Sequence, residues 1–227
     1  MNRNLSEIVF VLDRSGSMGD CAQAAISGFN EFLRDQREQA GEARISLVLF
    51  DDQYETPYCS IPIGEATDLD ARTFVPRGST ALLDAIGRAI DELGARLAAA
   101  PEPRRPGLVV VAILTDGLEN ASRQFSWRDI ADRINHQRDV YNWQFVFLGA
   151  NQDAIATASQ LRISAQMSSN FMADGSGTAA GFRSSGRKLR SMRAQASGGE
   201  LSAKEEADLH APLSELQQDE DEKERGE

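Results

Sequence analysis

Short apolar runs alternate along this chain with stretches that place an apolar residue every three or four positions. That alternation predicts a mostly parallel sheet with helices on both faces. The first run, Ile8-Val9-Phe10-Val11-Leu12, is apolar on both pleat faces, so the strand Glu7 to Leu12 is expected at the sheet's centre. A helix from Cys21 to Gln39 sets Ile26, Phe29 and Leu33 on one stripe. Arg44 to Phe50 reads as a second strand. Tyr54 to Ile63 reads as a third, which Pro57 and Pro62 confine to an edge, antiparallel to its neighbour. Gly64 to Ser79 is loop. The next helix, Thr80 to Ala99, aligns Leu83, Ile86, Ile90, Leu93 and Leu97 and is closed by Pro101-Glu102-Pro103.

Leu108 to Leu114 is the second strongly apolar strand. Ser126 with Asp129 three residues on predicts a capped helix that runs to Arg138. A strand at Gln144 to Leu148, a short helix at Asp153 to Leu161, a weaker strand at Met167 to Met172 and a last helix at Thr178 to Ala194 follow. The fold class is therefore α/β, doubly wound, over residues 1–196, with one antiparallel edge strand. Ser197-Gly198-Gly199 marks a boundary. Residues 197–227, acidic and poor in aromatics, are expected to be disordered or at most loosely helical.

Composition changes this picture in two ways. With 227 residues, 41% of them hydrophobic, the chain can bury one sizeable core. It holds no apolar run of about 18 residues, and Met1 to Ser6 lead straight into a strand, so the expectation is a cytoplasmic protein with no signal peptide and no membrane partner. The net charge of −11 disfavours nucleic acid as a partner, but it is unevenly spread. From Glu200 onward eleven acidic residues face only Lys204, Lys223 and Arg225, a net −8, leaving −3 for everything before. Just upstream, Arg183, Arg187, Lys188, Arg190 and Arg193 stand between Gly175 and Gly199 with no acidic residue among them. The acidic tail thus has two destinations: back onto this basic helix, or toward a site that accepts carboxylates, in its own chain or a neighbour's. Cys21 and Cys59 have neither disulfide-framework nor zinc spacing and are expected to be reduced thiols.

Ligands of an open parallel sheet bind at the carboxyl ends of its strands. Three polar loops fall there: Asp13-Arg14-Ser15-Gly16-Ser17 after the first strand, Arg77-Gly78-Ser79-Thr80 before the long helix, and Thr115-Asp116-Gly117 after the fourth strand. The first offers a carboxylate and two hydroxyls at alternate positions with a glycine between. Oxygen donors with few carboxylates suit a hard, small, octahedral cation, Mg²⁺ before Mn²⁺ or Ca²⁺. A DxSxS run alone is a common turn sequence; its joint occurrence with Gly-Ser-Thr and Thr-Asp-Gly at other strand ends makes it a candidate site.

Asp13-x-Ser15-x-Ser17, Thr80 and Asp116 resemble, position for position, the metal-ion-dependent adhesion site of von Willebrand factor A-type domains, over residues 5–195. The resemblance implies that Ser15, Ser17 and Thr80 touch the metal through hydroxyls and that Asp13 and Asp116 bind directly or through water. It also implies that a partner's glutamate or aspartate completes the coordination. Stand-alone intracellular bacterial members, similar to tellurium-resistance-associated proteins, imply a link to stress responses.

Arg14, Met18, Asp51, Asp52, Arg77, Glu119, Asn120, Arg123 and Asn151 lie close enough to these loops to form a rim. Arg14 and Arg77 are the two expected to grip an incoming carboxylate. The function expected is a non-enzymatic, metal-dependent protein-interaction module. Alternatives are an accessory subunit of an AAA+ ATPase of the MoxR or chelatase kind, and a metal-dependent phosphohydrolase, which the missing DxD arrangement disfavours. His136 and His210 both lie outside the crevice, so a nucleophilic hydroxyl there has no histidine base.

Overall fold

The computed structural model describes residues 1–150 and 154–226. Six strands form one sheet: β1 (Asn2–Asp13), β2 (Glu42–Phe50), β3 (Tyr54–Pro62), β4 (Pro106–Thr115), β5 (Gln144–Gly149) and β6 (Ser168–Asn170). Their spatial order is β3-β2-β1-β4-β5-β6, with every pairing parallel except β2 with the edge strand β3. The α/β class, the antiparallel edge and the inner position of β1 match the sequence expectation.

Period-two alternation along β1 explains the layering. Ile8, Phe10 and Leu12 point to the face covered by α1 (Ala22–Arg37) and α5 (Gly175–Ser197), where Phe10 packs on Phe29, Phe32 and Phe182 at ring separations of 5.4, 5.1 and 5.5 Å. Val9 and Val11 point the other way, into a second core with α2 (Leu82–Ala99), α3 (Trp127–Tyr141) and α4 (Ala154–Gln160). A strand covered on both faces carries a buried polar side chain only where it is paired, as Glu7 is with Arg96 and Ser60. Its first polar position at the carboxyl end is Asp13.

Boundaries differ from the sequence reading where tertiary pairing intervenes. β1 starts at Asn2 rather than Glu7 because polar Asn2 is drawn into the ladder beside β4, its N–H donating to Arg105 O at 2.7 Å. α2 starts at Leu82 rather than Thr80, since the Thr80 N–H donates to Asn120 Oδ1 and its carbonyl accepts from Asn120 and Ala121. The capping box at Ser126 and Asp129 forms as expected. The short helix expected from Asp153 begins, among the described residues, at Ala154.

The tail is the main correction. Instead of a disordered segment, residues 197–227 contain α6 (Ala203–His210) and α7 (Leu213–Arg225), both packed on α5. Leu209 and Leu213 meet the α1–α5 core, and Leu213 and Leu216 are buried. Ser202 and Glu205 make a second capping box. Arg187 pairs with Asp208 and Glu220, and Arg183 with Glu220 and Glu224. Lys188, fully buried, donates to the carbonyls of Leu209 and Ala211 at 2.7 Å, ending α6. Asp208, Asp219, Glu220 and Glu224 of the tail are therefore on the basic helix, the first of its two possible destinations. Composition alone pointed to disorder because the charges outnumber the four leucines; the basic partner helix is what offsets the like-charge repulsion.

Among the described residues no helix is long and apolar enough to cross a membrane. Docking of the tail is testable: Leu216→Ala should lower stability in urea unfolding by about 2–4 kcal/mol, whereas a loosely attached tail would leave the midpoint unchanged.

Candidate metal centre

β1 and β4 are hydrogen-bonded neighbours, so the loops that follow them open side by side at one edge of the sheet. The first loop is tied down by backbone bonds. Arg14 N–H donates to Phe50 O at 2.8 Å, Gly16 N–H to Gly78 O at 3.2 Å, and Arg77 N–H to Arg14 O at 2.9 Å. Gly78 makes this possible with a φ of +66°, and a side chain there would also strike the Asp52 carboxylate. The loop before α2 is thereby held against the loop after β1.

Asp13 sits fully buried at the base. Its Oδ1 accepts the Ser15 N–H at 2.7 Å and its Oδ2 accepts the Thr115 hydroxyl at 2.5 Å, so both oxygens are oriented by the fold. Ser15 Oγ lies 3.0 Å from Ser17 Oγ, and Ser17 Oγ donates to Asp116 Oδ1 at 2.7 Å. Thr80 joins them from the α2 side. A β-carbon placed on Gly117 would lie 2.7 Å from Thr80 Oγ1, 3.4 Å from Ser17 Oγ and 3.5 Å from Ser15 Oγ. Three hydroxyls from two separate loops thus converge on one point beside Asp116. All five residues singled out in the sequence are brought together. Ser17 is the exposed member, while Ser15 and Thr80 are buried, so the cluster opens to solvent on the Ser17 side.

The electrostatics favour a cation. Burial pushes the Asp116 carboxyl up to about 6, and the neighbouring Asp13 charge adds to the effect against the Ser17 hydrogen bond. Burial likewise raises Asp13, opposed by the Thr115 and Ser15 hydrogen bonds. Among the described residues no lysine, arginine or histidine forms an ion pair with either carboxylate. No group of three or more His, Cys, Asp or Glu side chains suited to a metal occurs among the described residues, so an ion here would depend on the hydroxyls. Two acids and three hydroxyls, all oxygen, fit a hard divalent cation.

The rim expected from sequence is corrected by the same structure. Arg14 is only 3% exposed, and its Nε donates to Asp51 Oδ2 at 3.0 Å and its NH1 to Glu55 Oε2 at 2.8 Å. Arg77 Nε donates to the same Asp51 oxygen at 2.8 Å and its NH2 to Glu55 Oε1 at 2.7 Å. Both guanidinium groups are therefore spent on an ion network centred on buried Asp51 rather than held ready for an incoming carboxylate. Asp51 is fully buried between them, held below its usual range by the Arg77 hydrogen bond despite desolvation. Glu119 accepts from the Leu83, Ala121 and Ser122 N–H groups and the Ser122 hydroxyl, tying its loop to the start of α2. Asn120 holds Thr80, and Met18 is buried in the α1 core. Asp52 and Arg123 stay exposed; Asn151 lies outside the described residues.

Sequence reasoning missed Glu55 and the part played by Thr115. The Arg14 hydrogen bond and charge hold the Glu55 carboxyl down to about 2. Nothing local to Tyr54-Glu55-Thr56 marks that role, because it exists only once β3 folds back on β2. Thr115 carries a readable signal: it stands last on an apolar strand, one residue before Asp116.

Residues 8–119 match the family model described as the von Willebrand factor type A domain. Among solved structures, the chain is similar to the manganese-loaded TRAP protein of Plasmodium vivax, with 16% identity over 76% of this chain and 70% of that one, at a TM-score of 0.53. It is also similar to a von Willebrand factor type A protein from Catenulispora acidiphila, with 19% identity, 87% and 44% coverage and a TM-score of 0.54. A third is proximal thread matrix protein 1 of the mussel byssus, with a zinc-occupied metal-ion-dependent adhesion motif, at 18% identity, 75% and 42% coverage and a TM-score of 0.51. This chain spans less than half the length of the last two. A comparison with curated proteins finds no match. The matched segment, about half of the chain, runs from within β1 through β2, β3 and β4 and contains every side chain of the hydroxyl and carboxylate cluster, so residues 8–119 carry the pattern of a von Willebrand factor type A domain.

Proposed function

We propose that this protein is a non-enzymatic interaction module that binds an aspartate or glutamate of a partner protein through one divalent cation, Mg²⁺ in the cell, held by Asp13, Ser15, Ser17, Thr80 and Asp116. The observation that carries this reading is the convergence of the Ser15, Ser17 and Thr80 hydroxyls on one point next to two desolvated carboxylates that have no cationic partner among the described residues. When bound there, a divalent cation supplies an electrophilic position for an anionic oxygen.

The protein's own residues do the remaining work. Thr115 and the Ser15 N–H fix both Asp13 oxygens, so the base of the site needs little reorganisation. Two carboxylates formally neutralise a divalent ion, and a neutral centre still accepts an outside anion where two tightly bound acids and a third would not. Hydroxyl donors, in place of further acids, leave that capacity intact. His136 lines a cleft with Met1, Pro106 and Trp143 at the amino ends of the strands, opposite the site loops, and His210 closes α6, so neither supplies a base to the site hydroxyls and the reading is binding rather than hydrolysis. Two unpaired cysteines, one buried and one exposed, support a cytoplasmic setting.

Gly117→Ala should weaken Mg²⁺ or Mn²⁺ binding in calorimetric titration by about tenfold or more while leaving the circular dichroism spectrum unchanged. Unaltered affinity would show that the converging hydroxyls do not hold the ion. A partner captured from a cell extract in Mg²⁺ should be released by EDTA and lost with Asp13→Ala; retention under both conditions overturns the proposal. Arg14→Ala should act through the fold, lowering stability by about 3 kcal/mol because Asp51 is left under-paired. Arg77→Ala should change metal affinity by less than about twofold, as surface-exposed pairs contribute little.

A further inference from the structure

The amino ends of the strands, across the sheet from the metal centre, carry a second concave surface. β4 runs from Pro106 to Thr115, so its two ends lie ~30 Å apart. At the Pro106 end a largely apolar cleft of about 520 Å³ opens between the second half of α2 and the last turns of α3, with Leu97, Ala98, Pro106 and Val109 in its walls. His136, Tyr141 and Trp143 add aromatic surface, and the His136 and Tyr141 rings meet edge to face at 5.6 Å. Apolar walls of this extent with a few placed polar groups are the make-up of a small-molecule site.

The polar groups define what such a molecule carries. Arg105 stands at the rim, where its Nε donates to Ala100 O at 2.9 Å and its NH2 to Ala98 O at 3.1 Å. Those bonds cap the carboxyl end of α2 and fix the plane of the guanidinium. Its other N–H groups have no acceptor among the described residues, and no carboxylate there pairs with its charge, Glu102 of the same cleft included. Trp143 is only 4% exposed, yet its indole N–H has no acceptor among the described residues and is not sealed from solvent, so it reaches the cleft that the ring lines.

Gly94 keeps the cleft open. Glycine inside a helix weakens it, and at Gly87, two turns earlier, packing requires it, because a β-carbon there would lie 2.7 Å from the Phe125 ring. At Gly94 a β-carbon would meet only Gln137 Nε2, at 3.6 Å. Packing does not require this second glycine; its missing side chain leaves the space between α2 and α3 that the cleft occupies.

We infer that this cleft binds a flat aromatic carboxylate. The free edge of a fixed guanidinium matches a carboxylate in two parallel hydrogen bonds. Aromatic rings and aliphatic walls take a flat apolar ring in preference to a sugar, and the Trp143 indole donates to a further acceptor on the same molecule. The site is separate from the metal centre in place and in chemistry.

The test is calorimetric titration of the full chain with 2-naphthoate, with neutral 2-naphthalenemethanol as the control. EDTA is present throughout, so that no ion at the strand-end centre can take the carboxylate. Saturable binding is expected, with the acid held about tenfold more tightly than the alcohol. Arg105→Gln should abolish that preference and leave the affinity for the alcohol unchanged, which shows the cleft intact. Gly94→Leu, which favours the helix and puts a side chain into the cleft, should weaken both ligands by about tenfold or more with the circular dichroism spectrum unchanged. No saturable binding, equal affinity for acid and alcohol, an acid preference that survives Arg105→Gln, or affinity that survives Gly94→Leu overturns the inference. Each of these results leaves the metal-dependent reading standing, because its ion is absent from the titration.

Discussion

The burial of one carboxylate, Asp13, is the constraint on which the rest of this structure turns. β1 is covered by helices on both faces and flanked by parallel strands on both edges, so the side chain at its end, Asp13, is fully buried. A charge in that position is tolerated only if its oxygens are satisfied. Thr115, at the end of the neighbouring strand, and the Ser15 N–H do so. Those two bonds also fix where the Ser15 and Ser17 hydroxyls fall, so a condition for folding and the shape of the site are one arrangement.

A second buried charge system stands next to the first and has the opposite character. Asp51 is compensated twice, by Arg14 and Arg77, and Glu55 serves both arginines from the edge strand. Such a network adds little net stability relative to apolar packing, yet it is costly to break at Arg14, whose loss leaves buried Asp51 with one half-exposed partner in place of two. Its location explains its use. It fastens the loop after β1, the turn after β2 and the loop before α2 to one another, which are the segments that deliver Asp13, Ser15, Ser17 and Thr80. Asp13 and Asp116 have no such partner among the described residues. One cluster closes on itself, and the other has its charges uncompensated by any cationic side chain among those residues.

The acidic helices α6 and α7 show how context reverses a reading of composition. Alone, a segment with a net charge of −8 and four leucines gains too little from burial to order itself. Against α5 the leucines gain a core and Arg183, Arg187 and Lys188 gain partners, so the basic helix and the acidic tail each supply what the other lacks.

What the sequence by itself determined is whatever depends on local period and type: the α/β class, the inner position of β1, the antiparallel edge imposed by Pro57 and Pro62, the capping box at Ser126, and the five oxygen-bearing residues at strand ends. These are legible because apolar periodicity and chain order dictate which face is buried and which loops share an edge. Only the tertiary structure decided the fate of the charged residues. Arg14, Asp51, Arg77, Glu119 and Asn120 look alike in sequence, as polar groups beside a site, and all five are consumed in holding the loops. The physical reason is that a charge's role is set by the partner within a few ångströms, and for Arg14 that partner is Glu55, 41 residues away, brought near only when β3 pairs with β2.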